Sequence, residues 1–491
     1  MFTATPGMFV ADTQPLVLYA SDFGFSPSSS ASQNDTAIAA ALAATPAGTV
    51  ATGGSIIYIA SGAYTISKKI SITHRYVALV SLGHYNTTII NVTGDPSYAL
   101  EIAAAGASSC IVSGITFQGL NSVTSTGGGI NCLSTQCKFS NVAIIQFGGI
   151  GFNLGGSSNS ENYLDDVRIT QCGMNSVATD GLVIGGGVTD CEYSRVIVSG
   201  NAAKNTTKNG ITNNGNNHKF TNCHAYFCNQ SGLFVNAGTS TQVMGGEWEN
   251  NGKVGILLNG DTNVVTGANC FGNTQNDIES DSGNHLALIG NKLSSAGSSA
   301  NILLFSTTSG AIADNNVTGN ATSISADSAC SNLAIHDNIL NGATNGISCA
   351  GTFCTIHDNE LTAGNLIEAT GANNNMIHDN VIPAGKSITI VGASSQIKDN
   401  LGYNPVGSVT TPGFPASTVA VVNTTGVDVT AFVTNSTSAI TQIQIAGVAG
   451  TYVNTNLQIG ISSWGDFRIP AGGGVKFTYA GGAPTWTWFG D

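Results

Sequence analysis

Large apolar residues recur along this chain at steps of 20 to 29 residues, far longer than the period of any single helix or strand. The clearest run is Ile335-His336-Asp337-Asn338, Ile356-His357-Asp358-Asn359, Ile377-His378-Asp379-Asn380 and Ile397-Lys398-Asp399-Asn400, with isoleucines 21, 21 and 20 residues apart. Followed backwards, the same slot holds Ile312, Leu288, Val265, Val243, Phe220, Tyr193, Leu164, Phe139 and Val112. Five residues after each lies a second apolar slot, running from Phe117, Ile144 and Ile169 to Leu361, Ile382 and Gly402. A third column has a Gly-aliphatic signature, at Gly149-Ile150, Gly181-Leu182, Gly210-Ile211, Gly232-Leu233, Gly255-Ile256 and Gly346-Ile347, with Asp277-Ile278 and Asn301-Ile302 in the same role.

Offsets 0 and 5 cannot both point inward on one straight strand, where side chains alternate with period two. They fit two short strands joined by a bend. The residue at offset 3 is Ile115, Val142 or Val167 early in the chain and becomes Asn291, Asn315, Asn338, Asn359, Asn380 and Asn400. Asn tolerates left-handed backbone angles at such a bend, and stacked amides satisfy one another along the axis. Three strands per coil predict an all-β fold, a right-handed parallel β-helix over 110–402 with about 12–13 coils. A barrel or doubly wound fold would need long amphipathic crossover helices, which the pattern lacks.

The ends break this period. Residues 1–109 are expected to hold a capping helix, with Asn34 or Asp35 as N-cap, and the first coils. A cap protects the open edge of a solenoid. Residues 403–415, rich in Pro and Gly, read as a linker, and the alternating apolar residues of 416–491 as a small antiparallel β-domain for trimerisation or capping.

Two stretches carry a resemblance. Asp22-Phe23-Gly24, Asn34-Asp35-Thr36-Ala37-Ile38 and the run from Gly53 to Tyr64 are similar to the N-terminal signature of the pectate-lyase-like superfamily, which includes phage tailspikes. Ala60 and Ser61 stand where that pattern usually has Pro. Phe467-Arg468-Ile469-Pro470-Ala471-Gly472 and Trp486-Thr487-Trp488-Phe489-Gly490 resemble the C-terminal domains of minor tail proteins of actinobacterial phages. The superfamily implies the fold and little about function, because binders, lyases and hydrolases share it.

Composition narrows the partners. Only 9% of residues are charged and the formal net charge is −13, which argues against nucleic acid and anionic lipid. No apolar run is long enough for membrane insertion. Met1 to Pro6 lack the basic and apolar regions of a secretory signal, so the expectation is assembly in the host cytoplasm, with a secreted protein whose signal lies outside this sequence as the alternative. The eleven cysteines lack a metal-pair motif and are expected to be buried thiols. No cofactor and no metal are assigned.

Candidate chemistry comes from spacing. In Asp277-Ile278-Glu279-Ser280-Asp281, an inward Ile278 puts Asp277, Glu279 and Asp281 on the outer face as candidate catalytic residues, between Leu257 and Leu303 of adjacent coils. Apolar neighbours and like charges favour a protonated acid, and a separation near 6.5 Å suits an inverting glycosidase. Asp165, Asp166, Arg168, Arg195, His224, Tyr226 and Glu247 form a second cluster, a candidate polar-glycan site; Asp166 and Arg195 share one offset in adjacent coils and are expected to pair. His336, His357 and His378 stack, with solvent-facing imidazoles as the default reading and a shared ion as the alternative. The polygalacturonase and pectate-lyase motifs Gly-His-Gly, Arg-Ile-Lys and Arg-x-Pro-x-x-Arg are absent.

With the resemblance, these features imply a phage tail spike or fibre that binds, and in one version degrades, a host surface polysaccharide. It would assemble with other tail proteins as a homotrimer in the virion. The outward Ile197, Leu257, Leu303 and Ile339 and an aromatic knot at Trp486–Phe489 would hold the trimer. The alternative is a free polysaccharide hydrolase or lyase.

Overall fold

The computed structural model describes residues 15–46, 54–104, 106–174, 179–203, 205–297, 300–392, 394–401, 407–434, 438–448, 450–461 and 463–490. Met1 to Pro6, Gly53 and Gly402 to Pro405 lie outside them. The chain divides into two compact units, residues 1–298 and 299–491.

In the first unit, three parallel sheets run the length of a coil. Leu18, Ile57, Leu79, Val112, Phe139, Leu164, Tyr193, Phe220, Val243, Val265 and Leu288 stand in one register row of the first sheet. Phe117, Ile144, Ile169, Val198, Ala225, Trp248, Cys270 and Leu293 form the matching row of the second. Both rows are buried apart from Leu18, which is partly buried. The third sheet stacks Ile70, Leu100, Ile130, Phe152, Leu182, Ile211, Leu233, Ile256 and Ile278. Its occupant in the coil after Cys132 is therefore Gly151-Phe152, two residues beyond the expected Gly149-Ile150. A glycine followed by an apolar residue occurs twice there, and the buried phenylalanine takes the core position.

The bend between the first two sheets is made one residue earlier than expected. The left-handed residue is at offset 2: Asn141, Asp166, Arg195 and Asn222 in this unit, then Asp314, Asp337, Asp358, Asp379 and Asp399 in the second, all at φ between 50° and 57°. The asparagine that follows turns its side chain inward instead. Its amide then reaches the asparagine of the next coil inside the stack.

The capping helix spans Ala31–Ala43. Its N-cap is Ser30, in a capping box with Gln33, rather than Asn34 or Asp35. Those two lie within the helix and are buried against the first coils. Asn34 Nδ2 donates to Thr65 O at 3.0 Å, and Asp35 Oδ1 accepts from Ser67 N and Lys68 N at 3.0 and 3.1 Å. They tether the helix rather than start it.

In the second unit, coils continue through Ile312, Ile335, Ile356, Ile377 and Ile397. They are followed by two four-stranded antiparallel sheets. Val429, Phe467, Ile469, Phe477, Trp486 and Trp488 fill the space between these sheets. The chain from Gly407 onward already belongs here, because Phe414 stacks on Phe477 at 4.6 Å and Pro412 O accepts the Trp486 indole N–H at 2.7 Å. The described part of the expected linker is thus woven into the domain. All eleven cysteines are buried and free, as composition suggested. Burial pushes the thiols of Cys172, Cys223 and Cys228 up to about 12. No helix among the described residues is long and apolar enough to cross a membrane.

Candidate functional site

Alternation on the second sheet sends Ile169, Val198, Ala225 and Trp248 into the core. Their neighbours face out in two register rows: Arg168, Ile197, His224, Glu247 and Asn269, and Thr170, Ser199, Tyr226, Glu249 and Phe271. His224 packs beside Tyr226, ring centroids 4.5 Å apart, and its Nε2 lies 3.0 Å from Glu249 Oε1 and 3.9 Å from Glu247 Oε2. Two coils away, or about 10 Å at the usual strand spacing, the Arg168 guanidinium sits 5.8 Å from the Tyr85 ring centroid.

Around the bend, Arg195 and Asp165 form an ion pair at 2.6 Å in an open cleft of about 490 Å³, lined also by Lys138, Tyr163, Glu192 and Ser194. Asp166 and Arg195 do share one offset, both left-handed. The pairing nevertheless goes to Asp165, one residue earlier, on the outer face of the first sheet. Both partners are well exposed, so the pair contributes little to stability and its charges stay available to a ligand.

The acidic strand departs from expectation. Asp277 is fully buried: Ser295 N donates to its Oδ2 at 3.0 Å, Asn273 Nδ2 to its Oδ1 at 3.2 Å, and the Ser295 hydroxyl also binds it. It belongs to the polar ladder inside the coil, not to the outer face. Strand pairing runs Leu257–Glu279 and Leu258–Ser280, then slips to Asn259–Ser282. Asp281 is the extra residue of this bulge. Glu279 and Asp281 remain outward, and their side chains share a hydrogen bond. They are in contact rather than at the 6.5 Å that inversion requires. Burial and the Asp281 carboxyl push Glu279 up to about 7, against an opposing hydrogen bond from Asn276 and the more distant charge of Lys253. Near neutral pH the Glu279 carboxyl is therefore about half protonated.

His336, His357 and His378 stack with centroids 5.0 and 5.1 Å apart and planes 4° and 3° from parallel. Each Nδ1 is 2.7 Å from the carboxylate of the following Asp337, Asp358 or Asp379. Parallel rings at that spacing do not converge on one ion, whose nitrogen ligands would stand only about 3.3 Å apart around zinc.

Residues 101–271 match a family model described as the right handed beta helix region. The coils form a right-handed parallel β-helix. Among solved structures, the β-helix is similar to the mannuronan C-5 epimerase AlgE4 A-module of Azotobacter vinelandii, at 17% identity and TM-score 0.56, over 77% of this chain and 99% of that one. It is also similar to the Dettilon tailspike protein, at 12% identity and TM-score 0.51, over 94% of each chain. The catalytic unit of a GH87 alpha-1,3-glucanase from Streptomyces thermodiastaticus matches at 14% identity and TM-score 0.48, over 80% of this chain and 70% of that one. At these identities the likeness is one of fold. No curated protein matches by sequence.

The β-helix brings His224, Tyr226 and Glu247 into one cluster and joins Asp165 to Arg195, while Asp166 takes the left-handed bend position. Glu249 was missed, although it follows Glu247 by two residues and so had to share its face. Tyr163, Glu192 and Lys138 were missed as well, because only the register shows that they border the Asp165–Arg195 pair.

Proposed function

We propose that this chain is a phage tail spike or fibre protein that binds a cell-surface polysaccharide along the outer faces of its coils. The observation that carries this reading is the strip of Arg168, His224, Tyr226, Glu247 and Glu249, continued around the bend by Tyr163, Asp165 and Arg195. Charged and aromatic side chains stand there in the same register rows, with Ile197 and Ser199 on the coil between Arg168 and His224. Aromatic faces and charged hydrogen-bonding groups together suit sugar rings with many hydroxyls. Shallow contacts repeated along a polymer gain strength through multivalency. The fold shared with the Dettilon tailspike supports the virion setting. In that setting the protein works as a homotrimer beside other tail proteins.

Calorimetric titration with candidate envelope polysaccharides tests the reading. Binding is expected for the intact chain, with at least a tenfold loss in Arg168→Ala and in Tyr226→Ala at unchanged melting temperature. Undiminished binding in both variants would remove the strip as the site.

A second reading, a polysaccharide-cleaving enzyme, is favoured by Glu279, whose carboxyl titrates at about 7 against Asp281. New reducing ends from the wild type and none from Glu279→Gln would support it. Equal release by both proteins would eliminate this carboxyl pair.

A further inference from the structure

His224, Glu247 and Glu249 turn one imidazole and two carboxylates toward the same point. One donor atom from each lies within 4.8 Å of the other two. We propose that this triad binds a divalent transition-metal ion of the zinc class, with a coordination position left open to a water or ligand oxygen. The fold presents all three donors on one face. Ala225 and Trp248 are fully buried between them, so alternation forces residues 224, 247 and 249 outward on adjacent strands.

The distances are those of a site ready to close. Donors about 2.0–2.2 Å from a tetrahedral ion stand about 3.3–3.6 Å apart. His224 Nε2 is 3.0 Å from Glu249 Oε1 and 3.9 Å from Glu247 Oε2. The longer approach belongs to Glu247, the most exposed of the three at 52% of its side chain, which is free to rotate in. The other two are already oriented. Asn250 Nδ2 donates to Glu249 Oε2 at 2.6 Å, which leaves Oε1 for the site, and the Tyr226 ring backs the imidazole. Such outer contacts fix ligand geometry at metal centres.

Charge and chemistry agree. Two carboxylates face one imidazole, and the in-register neighbours on either side, Ile197 and Ser199, Asn269 and Phe271, are neutral. A dication offsets the excess negative charge. One nitrogen with two carboxylate oxygens suits zinc or a similar borderline ion, whereas calcium and magnesium prefer sets of six or more oxygens.

The test is calorimetric titration of the full chain with zinc chloride after removal of metal by a chelator, alongside His224→Ala and Glu249→Gln. Saturation at one ion per chain is expected, with at least a tenfold weaker affinity in each variant. Glu249→Gln keeps the size of the side chain, and its melting temperature in chelator reports whether it folds. Cobalt substitution gives an independent signature: d–d bands without thiolate charge transfer are expected in the wild type and not in Glu249→Gln. Absence of zinc binding, or binding and spectra unaltered in both variants, would overturn the proposal.

Discussion

Asn359 Nδ2 donates to Asn380 Oδ1 of the next coil at 2.9 Å, and the same bond links Asn338 to Asn359 and Asn380 to Asn400 at the same distance. Each amide also meets backbone. Asn359 Nδ2 reaches Ile335 O at 2.8 Å, and Asn380 Oδ1 accepts from Asn359 N at 3.1 Å. The fully buried column is thus satisfied only as a continuous set. Replacing Asn359 by Leu leaves amide and backbone groups unpaired on both sides, and the expected loss is roughly 1–3 kcal/mol. Chemical denaturation of the variant checks this, and an unchanged midpoint would count against the ladder as a stabilising element.

Glu279 predicts a pH dependence. Its carboxyl lies above its ordinary 4.5, at about 7, in the folded chain. Between those values the folded state holds more protons than the unfolded state, so stability is full below about 4.5 and declines as pH rises toward 7. Glu279→Gln mimics the protonated form and should remove that part of the slope. Melting temperatures of the two proteins between pH 4.5 and 8 provide the comparison. Parallel profiles would mean that the carboxyl titrates normally.

Trp488 and Trp486 are 1% and 7% exposed, with ring centroids 5.0 Å apart inside their own β-domain. The two tryptophans are therefore core residues of the domain. Trp488→Ala should cost about 3–5 kcal/mol of that domain's stability. Loss of near-ultraviolet dichroism with the coils' far-ultraviolet signal retained is the expected readout.

Of the expected knot, Phe489 alone is substantially exposed, at 37%, and the coils offer a further apolar surface for a trimer. Ile339, Val381 and Leu401 are 44, 39 and 71% exposed and share one register row, interrupted by Glu360. Ile197, Leu257 and Leu303 are instead half-buried. Light scattering should give about three times the 49.8 kDa chain mass. Val381→Asp should shift the population toward monomer. A monodisperse wild-type monomer at micromolar concentration would dismiss the assembly.

The repeat was legible from residues alone, because the same position in every coil meets the same neighbours. A period of 20 to 29 residues with apolar residues at offsets 0 and 5 leaves few folds open, and each register pair through Val112, Phe139 and Leu164 follows it. Outward residues obey no such rule. Coil lengths vary, so the sequence could not say that the bulge at Asp281 puts it against Glu279, or that Asp277 turns in to Ser295. Nor could it say that Arg195 passes over Asp166 for Asp165, or that Glu249 joins His224. Those choices depend on loop length, bulges and which buried polar group still lacks a partner. Such terms are local and small beside the burial that sets the coil, and only the assembled tertiary structure resolves them.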